Sequence, residues 1–156
     1  MEVRTTKPTS LSVIVAVYNE QYLVAASLSR LRVLGESPLL GSVQIIVVDD
    51  GSQDRSASVL REFQHSLELD PWGPRFEWIF LRHPKNRGKA AAVRAGLDRA
   101  TGELTVFHDS DLEYHPADLL KMLLPFYDES ADAVYGSRFL ASDYRRVLFF
   151  SALGGE

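Results

Sequence analysis

Two acidic residues two positions apart, Asp109 and Asp111, with Glu113 two residues further on, come just beyond Leu104-Thr105-Val106-Phe107, a run that reads as a buried strand. Hard divalent cations take oxygen ligands, and Mg2+ keeps waters while sharing one or two carboxylates with substrate phosphates. Carboxylates two apart where a strand ends can meet one such ion. The competing use, a helix-capping Asp beside a solvated one, fits less well because Pro116 sets the next helix start several residues later. A bare D-x-D is common by chance, so the pair gains weight only from its company.

Three other segments supply that company. His83-Pro84-Lys85-Asn86-Arg87-Gly88-Lys89 gathers three cations around a glycine at a helix start. Most charge runs are solvated loops, but cations at a helix N-terminus suit an anion, and Lys89 is the first choice for it. Asp49-Asp50-Gly51-Ser52-Gln53-Asp54 follows another apolar run. Asp54 or Ser52 can cap the next helix, which leaves a carboxylate to accept from a base N–H or from ribose hydroxyls. Tyr18-Asn19-Glu20 is informative for what it lacks, since neither G-x-G-x-x-G nor G-x-x-x-x-G-K-[ST] is present. Gly88-Lys89 is followed by Ala90, so the magnesium-binding hydroxyl of a P-loop is missing too.

The elements that must hold these segments are legible from apolar periodicity. Strands are expected over 11–17, 43–48, 76–81, 103–107 and 131–136, the fourth ending at His108. Helices are expected over 22–34, after Asp54 with Val59, Leu60 and Phe63 on one face, over 89–100, and from Pro116 to about Tyr127. The break at Pro71-Trp72-Gly73-Pro74 ends the second helix. Strands that are apolar throughout belong to a parallel sheet covered on both faces, so the class is α/β and doubly wound. Ligands of such sheets sit beyond the carboxyl ends of the strands, which is where all four segments fall.

Length and composition set the outer limits. A chain of 156 residues with a soluble protein's apolar fraction of 46% predicts one core, over 10–156, after a flexible tail over 1–9. A net charge of -4 gives no global field for nucleic acid, so phosphate needs local donors or a metal. The absence of cysteine excludes thiolate nucleophiles and cysteine-held zinc or iron–sulfur sites, and allows a reducing compartment. Neither a signal peptide nor a run of roughly 20 apolar residues is present, so the chain as given is expected to be soluble.

The ordered set Val15-Ala16-Val17-Tyr18-Asn19-Glu20, Val48-Asp49-Asp50-Gly51-Ser52, Asn86-Arg87-Gly88-Lys89, Asp109-Ser110-Asp111-Leu112-Glu113-Tyr114 and Gly136-Ser137-Arg138 resembles the family 2 inverting glycosyltransferases with a GT-A fold, a three-layer sandwich about a mainly parallel sheet. Within them it is most similar to the polyprenyl-phosphate (dolichol-phosphate) mannosyl- and glucosyltransferase branch, over about residues 10–140. The resemblance implies that Val17, Tyr18 and Glu20 line the base and ribose pocket and that Asp50 contacts the nucleoside. It implies that Gly88 and Lys89 face the donor, that Asp109 and Asp111 bind Mg2+ or Mn2+ with Glu113 as a third ligand, and that Arg138 faces phosphate. Asp111 and Arg138 would then be the catalytic pair, while His108 and His115 are packing or turn residues.

The implied reaction moves a hexose from a nucleoside-diphosphate sugar of the GDP-mannose or UDP-glucose type to an acceptor, with inversion at the anomeric carbon. A polyprenyl phosphate is the favoured acceptor because it arrives ionised and needs no general base. The resemblance thus implies a cytoplasmic protein, peripheral at the inner face of the membrane. The alternatives are a non-catalytic or incomplete donor-binding fragment, and a family 2 transferase acting on a saccharide hydroxyl. A sugar nucleotidyltransferase is weaker, since its glycine-rich loop is absent. Ala16 replaces a proline of many members and Glu113 a glutamine of several. Members continue further with an acceptor region, so one is expected to be missing here. The apolar end, 147–153, is expected to be an amphipathic, membrane-facing segment whose unpartnered Leu148, Phe149 and Phe150 favour membrane contact or a homo-oligomer.

Overall fold

Val13, Ile14, Val15 and Val17 in the first strand are all at most 1% exposed, which requires covered faces on both sides of the sheet. A computed structural model describes residues 8–128, 131–135 and 149–152 and provides those covers. The strands are β1 (Thr9–Val17), β2 (Leu40–Asp49), β3 (Phe76–Arg82), β4 (Leu104–Asp109), β5 (Ala133–Tyr135) and β6 (Phe149–Ala152). The helices are α1 (Val24–Arg30), α2 (Ser56–Leu69), α3 (Lys89–Leu97), α4 (Pro116–Met122) and α5 (Leu124–Asp128).

The sheet order is β3-β2-β1-β4-β6-β5. The first four strands are parallel, with Val13 of β1 opposite Ile45 of β2 and Val106 of β4. Alternate residues then face opposite layers. Val13, Val15, Ile45 and Val47 pack with Val24, Leu28, Leu60, Phe63 and Leu119 from α1, α2 and α4. Ile14, Ile46 and Val48 pack against Ala92 of α3 on the other face. Each fully buried Val or Ile contributes roughly 1.5–3 kcal/mol, so the central strands are the most costly part of the chain to move. Four parallel strands therefore hold their carboxyl ends, and the loops that leave them, as one rigid rim.

Three elements differ from the sequence expectation for identifiable reasons. The first helix tightens after Arg30 into a 3-10 segment over Leu31–Glu36, whose i, i+3 spacing stacks the buried Leu31 and Leu34 on one side. The expected helix from Pro116 to Tyr127 breaks at Leu123, because Pro125 has no N–H to continue the ladder. The apolar end has backbone partners over Phe149–Ala152. That stretch is a strand, antiparallel to β4 on one side and to β5 on the other, and it satisfies the edge that β4 would otherwise present. Among the described residues no helix is long and apolar enough to cross a membrane.

Candidate functional site

The chain leaves β1 through Asn19, whose φ of 53° is the left-handed conformation that asparagine tolerates better than most residues. This turn aims the Asn19 side chain at the loop after β2. Its Oδ1 accepts from Gln53 N at 2.9 Å, its own N–H donates to Ser52 Oγ at 3.0 Å, and Glu20 N donates to Ser56 Oγ at 2.8 Å. The loops after β1 and β2 are thereby laced together. Asn19, Ser52 and Ser56 were not singled out as site residues from sequence; the one available signal was a polar residue of high left-handed tolerance directly after a strand.

The paired acids after β2 divide the work. Asp49 Oδ1 accepts from Ser52 N at 2.9 Å, and Arg82 Nε stands 3.2 Å from Oδ2 in an ion pair whose angle makes no hydrogen bond. Asp50 turns to the loop after β3: its Oδ1 accepts from His83 Nδ1 at 2.6 Å and its Oδ2 from Gly88 N at 2.8 Å. Arg87 N donates to both oxygens, at 3.0 and 3.2 Å. Burial acts to raise the Asp50 carboxyl, but the bonds from His83, Arg87 and Gly88 outweigh it and hold the group below the usual carboxylate range. Asp54 performs the expected capping one residue early, accepting from Ser56 N at 2.8 Å.

Gly88, with φ of 92°, turns the chain into α3 so that Lys89 is its first residue, and the Lys89 ammonium pairs with Asp109 Oδ1. Asp111 Oδ1 accepts from Glu113 N at 2.9 Å, closing a short turn. From α1, Ser27 Oγ donates to the Asp109 carbonyl at 3.3 Å and Arg30 Nη1 to the Leu112 carbonyl at 3.3 Å, steadying the acidic loop from behind.

These loops enclose a cleft of about 310 Å3. Of the residues expected from sequence, Val17, Tyr18, Glu20, Asp50, Lys89, Asp109 and Asp111 line it, joined by Ala16, Asn86, Ala92 and Ser110. Gly88 and Glu113 do not; Gly88 acts through its backbone on Asp50, and the Glu113 side chain is exposed. Arg138 lies outside the described residues. Burial raises the Glu20 pKa, and the negative charges of Asp111 and then Asp54 raise it further. A cation between these acids would relieve that repulsion. No group of three potential metal-ligating side chains exists among the described residues.

His108 and His115 are packing and turn residues, as expected. His115 Nδ1 accepts from Ala117 N at 3.2 Å and caps α4. His108 is 2% exposed, with Nε2 3.4 Å from Ser27 Oγ and no partner for Nδ1 among the described residues. Its burial lowers the pKa from 6.5 to about 4, against the opposing pull of Asp109 and Asp111. The folded state thus favours the neutral ring. Its contribution is complete above pH 6.5 and is lost as the pH falls from there towards 4, a change of roughly 3 kcal/mol. Urea midpoints of the metal-free protein between pH 7.5 and 4.5 should show this slope, and His108→Gln should remove it. An equal slope in both proteins would count against the assignment.

The sequence model of the family described as Glycosyl transferase family 2 matches residues 12–149. The uncharacterized glycosyltransferase YkcC of Bacillus subtilis is 32% identical over 127 residues, covering 81% of this chain and 36% of its own length. The undecaprenyl-phosphate 4-deoxy-4-formamido-L-arabinose transferase of Edwardsiella ictaluri is 33% identical over 125 residues, covering 80% of this chain and 34% of its own. Among solved structures, the Pyrobaculum calidifontis mannosyltransferase PcManGT, in complex with GDP-Man and Mn2+, superposes with a TM-score of 0.70 at 22% identity, covering 94% of this chain and 45% of that one. The chain therefore spans less than half the length of each of these three proteins.

Proposed function

The chain belongs to glycosyl transferase family 2 and has the family's GT-A fold, and from that premise we propose that residues 10–156 bind a nucleoside-diphosphate hexose, of the GDP-mannose or UDP-glucose type, for inverting transfer to a polyprenyl phosphate. The observation that carries this reading is the cleft itself: the Lys89 ammonium and the Asp109 and Asp111 carboxylates line one cavity together with Val17, Tyr18 and Glu20.

The chemistry of each wall follows from its residues. Tyr18, 42% exposed, offers a ring face for a base to lie against, and Glu20 can accept from ribose hydroxyls. Asp109 and Asp111 would hold Mg2+ or Mn2+, and the chemistry such an ion supplies when bound is Lewis-acid neutralisation of the diphosphate. The Mn2+ in the PcManGT complex is in keeping with that donor set. Lys89 donates to the diphosphate oxygens as the bond from the anomeric carbon breaks and negative charge gathers on the leaving group. The acceptor oxygen attacks from the opposite face, with inversion.

An acceptor hydroxyl would need a base. His108, the one imidazole directly beside Asp109 in sequence, is buried and held neutral at a pKa near 4, which suits it poorly to that task. An ionised phosphate needs only a cation to orient it, the role proposed for Arg138. A relative whose name includes undecaprenyl phosphate agrees with this choice, which would bring the protein to the cytoplasmic membrane surface.

Titration calorimetry with GDP-mannose, UDP-glucose and UDP-GlcNAc, each with and without Mn2+, tests the reading. At least one donor should bind about tenfold more tightly with the ion, a difference of roughly 1.4 kcal/mol. Binding that ignores Mn2+ for all three would remove the cation from the proposal, and no binding at all would remove the function.

A further inference from the structure

Asn19 stands between Tyr18 and Glu20, which both line the donor cleft, yet Asn19 itself does not. Its side chain is turned to the loop after β2 instead. The bond from Asp50 N to the Val17 carbonyl, at 2.8 Å, carries the β1–β2 pairing just past the end of the strands. Beyond it the two loops are joined by side chains. Three N–H groups of the first loop donate to the second: Asn19 to Ser52 Oγ at 3.0 Å, Glu20 to Ser56 Oγ at 2.8 Å and Gln21 to Asp54 Oδ2 at 3.3 Å. Three N–H groups of the second donate to the first: Gln53 and Asp54 to Asn19 Oδ1, at 2.9 and 3.4 Å, and Arg55 to Gln21 Oε1 at 2.9 Å. Ser52 and Ser56 are both buried, so water is poorly placed to replace their hydroxyls. The Glu20 carbonyl in turn accepts from Leu23 N and Val24 N, at 3.1 and 3.0 Å. The backbone that carries the Glu20 carboxylate is therefore held at its N–H, at its carbonyl and at both neighbours.

We propose that Asn19 is a positioning residue: it fastens the loop after β1 to the loop after β2, fixes the Glu20 carboxylate where ribose hydroxyls can reach it, and so sets a preference of the cleft for ribose over deoxyribose nucleotides. The inference rests on the donor-binding function proposed above, in which Glu20 accepts from those hydroxyls. Asn19 takes part in three of the six cross-loop bonds, and its φ of 53° is open to few residue types. A binding group whose supporting shell lets it drift by about 1 Å loses most of its worth. The acidic loop is steadied separately, by Ser27 and Arg30 of α1, so the metal-binding end should keep its place when Asn19 is changed.

The test is calorimetry with UDP and GDP, each beside its dideoxyribose analogue and each with and without Mn2+, on the full chain and its variants. Wild type should prefer the ribose form of at least one pair about tenfold, as expected of hydrogen bonds to a charged acceptor. Asn19→Gly keeps the left-handed turn but removes the acceptor for Gln53 N and Asp54 N. Its preference should fall below about threefold, with the gain from Mn2+ within about twofold of wild type. Asn19→Asp keeps both the turn and the acceptor and should retain the preference. Adding Asn19→Gly to Glu20→Ala should cost no further preference, the non-additivity expected of groups acting in series. Ser52→Ala loosens the same joint and should show the same pattern at smaller size; it is read in place of Asn19→Gly if that variant does not fold. A preference left intact by Asn19→Gly, a Mn2+ gain that falls with it, or a further loss on top of Glu20→Ala overturns the inference. Mn2+-dependent binding by wild type without any ribose preference overturns the inference and leaves the donor-binding function standing. A wild-type protein that binds neither nucleotide overturns that function, and the inference with it.

Discussion

An Asp111→Ala protein is expected to fold normally and to bind the proposed nucleotide-sugar donor no more tightly with Mn2+ than without it. Asp111 lies at the cleft beside Ser110, in a loop whose backbone is held elsewhere: Ser27 grips the Asp109 carbonyl and Arg30 the Leu112 carbonyl. The one bond the substitution removes within the loop is the acceptor for Glu113 N, an exposed residue that water can serve. Stability should therefore change by no more than about 1 kcal/mol, as for most partly exposed polar sites. The functional loss is larger because a two-carboxylate site has no spare ligand. The gain from Mn2+, about tenfold or more in wild type, should fall below about twofold in calorimetry, a loss of over 1 kcal/mol in coupling. A second effect accompanies it. The Asp111 charge is one of the influences that raise the Glu20 pKa, so its removal should move that carboxyl down, which carboxyl NMR titration can follow. Unchanged Mn2+ coupling would sink the assignment.

Much of this geometry was legible in the residues. Strands such as 11–17 and 43–48 are apolar without alternation, and only a parallel sheet with both faces covered explains that, which in turn directs attention to the loops beyond their carboxyl ends. Of the cleft's lining residues, Lys89, Asp109 and Asp111 follow from that step, while Val17, Tyr18, Glu20 and Asp50 were implied by the family resemblance. The lacing between loops was not legible, because Asn19 and Gln53, or Asp50 and Gly88, are joined across more than 30 residues of chain by register that periodicity does not encode. Asp50 illustrates the cost. An acid at a strand end reads as a ligand group, and only the folded chain shows that its oxygens also accept from three donors of a neighbouring loop. The position of β6 between β4 and β5 was beyond reach for a related reason: a four-residue apolar strand, antiparallel and distant from its partners in sequence, cannot be told by pattern from a membrane-facing segment.

A large effect on stability is expected far from the cleft, at Gly102→Ala. Gly102 lies just before β4, at the end of the sheet opposite the ligand loops, and is pressed against the centre of the fold. Its N–H donates to Ser12 Oγ at 2.8 Å, and that hydroxyl donates to Gln44 Oε1 at 2.8 Å, which also accepts from Thr101 N at 3.0 Å. A Cβ added to Gly102 would fall 2.6 Å from Ser12 N and 2.8 Å from the Leu11 carbonyl carbon. Both atoms are backbone of β1, which is paired on one side to β2 and on the other to β4, so no rotamer change can relieve the overlap. Either the central strand or the turn must move, and moving the turn breaks the buried bond to Ser12. We expect a loss of about 3 kcal/mol in urea unfolding at pH 7, at the upper end for overpacking, and a melting point lower by roughly 6–12 °C. Ser12→Ala isolates the hydrogen-bond part, since it leaves the Gly102 N–H buried without its acceptor, and should cost less, about 1–3 kcal/mol. The two losses should not add in the double variant, because the alanine methyl and the serine hydroxyl contend for the same space. Mn2+-dependent nucleotide binding should survive in whatever fraction of Gly102→Ala remains folded, since the strands that carry the acids and Lys89's loop keep their register at the other end. A Gly102→Ala protein as stable as wild type would mean that β1 yields to the turn, and that the rim of loops it anchors is less rigid than the packing of its strands requires.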